Sequence, residues 1–198
     1  MKCIAPVCFI SLLGAFSVPA FSQYNVLPVG DGLWVESFWV GPGYPYMGWA
    51  HVVPGQPDTI INGLEYRSVD LGGNGYVRDD SLGHVFWLDP NGGQEAILYD
   101  FDVAIGDTLP YSGQFPFPDP LRVVQVDSIL VNGTMRKQVE VELLPSGWGT
   151  CYWIQGIGSV DGLLNLCQGP SVSGTSWLTC MSEDGIAQYG GNVGQPYN

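Results

Sequence analysis

Apolar and polar residues alternate along most of this chain in short runs, and the runs are cut by Gly, Pro, Asn and Asp. In an extended strand successive side chains point to opposite faces, so alternation of this kind marks a strand with one face buried. Strands are predicted at 33–40, 48–53, 65–70, 75–79, 84–88 and 95–99, and again at 121–131, 134–144, 150–154, 177–181 and 186–189. No window past the amino terminus holds a helical period. Turn residues recur every 8–12 positions or so, the spacing of an antiparallel β-sandwich or partly closed barrel built from hairpins. The expected fold is all-β.

Two hairpins are marked by their chemistry. Asn62-Gly63 and Asn132-Gly133 each stand between β-forming runs, and a type I′ turn needs positive φ at both central residues, which Asn-Gly adopts at little cost. The stretches 58–66 and 127–135 resemble each other, but through hairpin chemistry too common to establish a repeat. Residues 121–131 and 134–144 are long, poor in Gly and Pro, and alternate Val139, Val141 and Leu143 with Gln138, Glu140 and Glu142. This is expected to be the best-ordered hairpin. The turn also accounts for the N-glycosylation sequon Asn132-Gly133-Thr134.

The amino terminus changes the picture. Lys2 precedes an apolar stretch from Ile4 to Val18, and Ala20-Phe21-Ser22 follows. That is the form of a secretory signal peptide, residues 1–22, cleaved after Ser22. The stretch is too short for a membrane span, and Gln23 stands where a lipoprotein would need cysteine. A single β domain, 23–198, is expected beyond it, with no membrane insertion after cleavage. Secretion, extracellular or periplasmic, places the cysteines in an oxidising compartment. Cys3 and Cys8 leave with the signal, so Cys151, Cys167 and Cys180 remain. The expected bridge is Cys167–Cys180, anchoring a Gly/Pro/Ser loop to the strand after it, with Cys151 a buried thiol.

Composition and charge then exclude several partners. The chain has 198 residues, 6 Lys+Arg against 19 Asp+Glu, and a net charge of −13. Nucleic acid and anionic membrane surfaces need clustered cations, which are lacking. With 13% charged and 13% aromatic residues the chain is expected to fold rather than remain disordered.

Candidate chemistry is sparse. The two histidines, His51 and His84, lie in no recognisable catalytic setting, and no Gly-x-Ser-x-Gly elbow occurs. No zinc-type ligand spacing is present, and no cofactor is expected. Asp79-Asp80, Asp100 with Asp102, and Glu140 with Glu142 are the paired carboxylates a glycosidase could use, although turn and strand chemistry explain each pair. Calcium could take oxygens from 89–93 or 99–102, which again read as turns. Aromatics give the remaining lead. Trp34, Phe38, Trp39, Tyr44, Tyr46 and Trp49 fall close together, with Trp34, Glu36 and Phe38 on one strand face and Val35, Ser37 and Trp39 on the other. Aromatics of this kind fill cores. Where exposed they stack on sugar rings, and Trp39, Tyr44, Tyr46 and Trp49 are the candidate ligand-binding residues.

From Asp58 onward the chain follows an order of short pieces: 58–66, 76–80, 95–101, 105–109, Trp153-Ile154-Gln155-Gly156-Ile157-Gly158-Ser159, 162–164, and Leu178-Thr179-Cys180 before Glu183-Asp184-Gly185. This order resembles a group of secreted β-rich proteins of Bacteroidetes-type bacteria, many of which carry a carboxy-terminal type IX secretion sorting domain. The likeness spans about residues 58–189 and implies a secreted β-domain without naming catalytic residues. Too few residues follow the last expected strand for a sorting domain of the usual size. The function expected is a secreted, non-catalytic binding or structural module of the cell envelope or exterior, its partner a carbohydrate or another envelope protein. The alternative is an extracellular carbohydrate-active enzyme using paired carboxylates.

Overall fold

The computed structural model describes residues 26–39, 47–70, 72–91, 93–109, 120–144, 149–167 and 175–190. Among them it is all-β, in three antiparallel sheets. The first contains β1 (Gly32–Trp39), β2 (Met47–Val53), β13 (Thr175–Glu183) and β14 (Ile186–Gly190), in the order β14-β13-β1-β2. The second is a meander of β3 (Thr59–Ile61), β4 (Leu64–Val69), β5 (Gly75–Asp79), β6 (His84–Leu88) and β7 (Ala96–Asp100). The third runs β12-β11-β10-β9-β8, from β8 (Thr108–Leu109), β9 (Leu121–Val131), β10 (Thr134–Leu143), β11 (Thr150–Ile154) and β12 (Gly158–Ser159). The expected signal segment lies outside the described residues.

Both Asn-Gly turns form as predicted, with φ of 53° and 82° at Asn62-Gly63 and 48° and 77° at Asn132-Gly133. A third turn of the same kind, Asp184-Gly185, joins β13 to β14.

The core draws on all three sheets. Trp34 and Met181 come from the first, Val77, Val85 and Tyr99 from the second, and Val123, Val139, Val141 and Trp153 from the third, all buried. Tyr99 meets Trp153 edge to face at 5.4 Å between ring centroids. Three of these large side chains carry a polar handle, and each handle finds the same segment. The Trp34 indole N–H donates to the carbonyl of Ile157 at 2.6 Å, and that of Trp153 to Leu166 at 2.7 Å. The Tyr99 hydroxyl donates to the Leu163 carbonyl and accepts the Ser159 N–H at 3.1 Å. Residues 155–167 thus form a strap through the interior, its backbone groups satisfied by side chains where no ladder runs.

The strap is closed covalently, and here the expected pairing is overturned. Cys167 bonds to Cys151, not to Cys180, with Cα atoms 5.3 Å apart. Cys151 on β11 and Cys167 at the end of the strap both point into the core. Cys180 is a free, half-buried thiol opposite Val35. It alternates with the buried Met181, so it faces the other side of its sheet, away from the core.

Candidate functional site

Trp34, Glu36 and Phe38 share one face of β1, as the alternation predicts, and the structure turns that face inward; the register sets His51 opposite Trp34 and Trp49 opposite Glu36. Glu36 is a carboxylate at a core position, 4% exposed. A charge so placed needs partners. Its Oε1 accepts the backbone N–H of Leu163 in the strap at 2.7 Å, and its Oε2 accepts the Trp49 indole N–H at 3.2 Å. His51 Nε2 lies 3.7 Å from Oε1. Gly162 is required beside it, because a Cβ there would strike the carboxylate and its φ is +136°.

The chain of polar groups continues outward. His51 Nδ1 is 2.8 Å from Asp70 Oδ2, at the end of β4. Asp70 also accepts the Val52 N–H at 2.8 Å and a hydrogen bond from the Asn74 side-chain amide, and its own N–H donates to the Val52 carbonyl at 2.9 Å. It thereby ties β4 to the edge of the first sheet. Glu36, His51 and Asp70 form a line from interior to surface. Burial pushes the Glu36 carboxyl above its ordinary range, opposed by the Leu163 N–H, His51 and Trp49. Burial acts the same way on Asp70, but hydrogen bonds from His51 and Val52 outweigh it and hold that carboxyl below its ordinary range.

Over this line sits an aromatic pair. Phe38 and Trp49 stack with centroids 5.5 Å apart and planes 26° from parallel. Trp49 is 43% exposed, although both its ring and its N–H are held. An exposed indole held by Phe38 and Glu36, with His51, Asp70 and Asn74 following in the same chain of polar groups, is an arrangement that can stack one ring of a ligand and hydrogen-bond its rim.

The four candidate binding residues do not make one platform. Trp39 is exposed, but on the outward face of β1 with Val35 and Ser37, so the sheet separates it from Trp49. Tyr44 and Tyr46 lie outside the described residues. The candidate carboxylate pairs are divided among cations: Asp79 bonds Arg67, Glu142 bonds Arg122, and Asp80 and Asp100 flank His84. His84 is therefore not a bare surface residue. Its Nδ1 is 2.8 Å from Asp80 and its Nε2 3.6 Å from Asp100, and it is only partly exposed. Among the described residues, Cys151, Asp161 and Cys167 cluster at metal-ligand spacing. With the two sulfurs bonded to each other, that cluster offers a metal one carboxylate. A groove of about 450 Å³ opens beside Pro57, Leu64, Arg67 and Arg78. Both of its cations are already matched, Arg67 by Asp79 and Arg78 by Glu95 and the face of Phe86.

No family model, curated protein or solved structure matches the chain. The site stands on its geometry. Sequence reasoning passed over Glu36, Asp70 and Asn74 as functional groups. A signal existed for the first: a carboxylate between Trp34 and Phe38 on one strand face.

Proposed function

We propose that this chain is a secreted, non-catalytic binding module that takes a carbohydrate at Trp49. The carrying observation is the exposed Trp49 ring, held by Phe38 and Glu36, with Glu36 linked onward through His51 and Asp70 to Asn74. A pyranose ring offers an apolar face for the indole and hydroxyls for those polar groups. Export from a bacterial cell of the Bacteroidetes type is part of this reading, supported by the form of residues 1–22 and by the likeness of residues 58–189. The disulfide is compatible with an oxidising compartment, and among the described residues no helix is long and apolar enough to cross a membrane.

Titration calorimetry against a panel of soluble oligosaccharides tests the reading. Binding without release of reducing ends is expected, and Trp49→Ala loses it. The line Glu36–His51–Asp70 favours a second reading, acid–base catalysis on a glycan. Release of reducing sugar that disappears in Glu36→Gln or Asp70→Asn would replace the module with an enzyme.

A further inference from the structure

The outward face of the first sheet carries no charged side chain on β1, β2 or β13 among the described residues. Along β1 it presents Leu33, Val35, Ser37 and Trp39, and the register of β2 and β13 adds only Gly, Ala, Val, Ser, Thr, Cys and Trp. Trp39 lies opposite Thr175 and Ser37 opposite Trp177. The two indoles are therefore diagonal neighbours, the relation in which facing side chains stand about 7–8 Å apart. Between them and the sheet centre, the Ser37 and Thr179 hydroxyls are 2.7 Å apart. Leu33 is 37% exposed, Trp39 37% and Val52 49%. From Leu33 to Trp39 the face runs about 20 Å at the strand rise of about 3.3 Å per residue. On the edge strand β2 it presents Gly48 and Ala50, so among the described residues that side of the face stands low.

A continuous uncharged surface is unusual on a chain with a net charge of −13. The negative field of the molecule repels anionic ligands and opposes a second copy of itself, while a cationic ligand finds no counter-charge on the face. What fits is uncharged, flat, apolar on its ring faces and rimmed with hydroxyls. The geometry points to this face as a docking site for the surface of an insoluble, uncharged polysaccharide, using Trp39 with the neighbouring hydroxyls. The site is separate from Trp49, on the opposite side of the sheet, and does not depend on the function proposed above.

Adsorption isotherms on microcrystalline cellulose, chitin and insoluble β-1,3-glucan provide the test, with fold checked by circular dichroism. Wild type is expected to adsorb to at least one of them. Trp39→Ala should weaken adsorption about thirtyfold, the scale of losing a central tryptophan anchor. Ala50→Arg, which raises a long charged side chain from an exposed position opposite Val35, should do the same. Trp49→Ala should adsorb like wild type, even if it has lost soluble oligosaccharides. The inference is overturned if wild type adsorbs to none of the three polymers, or if Trp49→Ala abolishes adsorption while Trp39→Ala and Ala50→Arg leave it intact. It is also overturned if light scattering finds a dimer that Ala50→Arg dissociates, since the face would then be an interface between copies.

Discussion

Breaking the Cys151–Cys167 bridge should destabilise the protein by an amount the loop length sets. The bonded residues are 16 apart in sequence, and closing a loop of that length removes about 3 kcal/mol of chain entropy from the unfolded state. At about 2–4 °C per kcal/mol for a domain of this size, reduction should lower the melting temperature by about 6–12 °C. The double variant Cys151→Ala/Cys167→Ala should fall by at least as much, because it also empties two buried positions. A Cys167–Cys180 bridge would close a loop of similar length, so magnitude alone does not identify the partner. The partner shows in the single variants. Cys180→Ala should keep both the wild-type melting temperature and its drop on reduction, whereas Cys151→Ala should melt low and ignore the reductant. Tryptophan fluorescence is a suitable signal, since Trp153 lies on β11 and donates to Leu166, next to the bridge. Oxidised and reduced protein melting within about 1 °C of each other, or peptide mapping that finds Cys180 in the bridge, would refute the reasoning.

Two further outcomes are expected. Tyr99→Phe removes a hydroxyl that serves the Leu163 carbonyl and the Ser159 N–H in the interior, and the groups left unpaired should cost about 1–3 kcal/mol in urea unfolding; an unchanged midpoint would mean the strap does not depend on that hydroxyl. The hydrogen bond to Asp80 raises the pKa of His84 from its ordinary 6.5, partly opposed by burial and helped by Asp100 and Asp102. The stability it gives is fully present below about 6.5 and lost as pH rises through the raised value, so the urea midpoint should decline across that window and His84→Gln should flatten the decline.

Alternation made much of the fold legible. It located β5, β6, β9 and β11 to the residue and put Trp34, Glu36 and Phe38 on one face, because the two-residue period of a strand is local. It could not name partners across the chain. Trp39 and Trp49 looked like neighbours, and only the β1–β2 register shows that a sheet lies between them. The cysteine assignment failed for a related reason. Anchoring the Gly/Pro/Ser loop to the strand after it favoured Cys180, but β13 turns that side chain outward while the strap carries Cys167 back to β11. Asp70 gave no local sign of its role, since its value comes from closing a gap between two sheets.

The pairing of β1 with β13 fixes an order of events in time. Strands β3 to β7 and the pair β9–β10 join through consecutive hairpins, so they can form from local contacts. The first sheet is completed only across the length of the chain, when β13 joins the β1–β2 pair. Glu36 waits for an N–H 127 residues later, and β1 waits longer still for its neighbour. Such distant contacts are slow to close. A chain ending before β13 has the β1–β2 pair with Phe38 and Trp49, but its outward face lacks Trp177 and the hydroxyl partner of Ser37. The complete outward face of the first sheet therefore belongs only to the finished molecule.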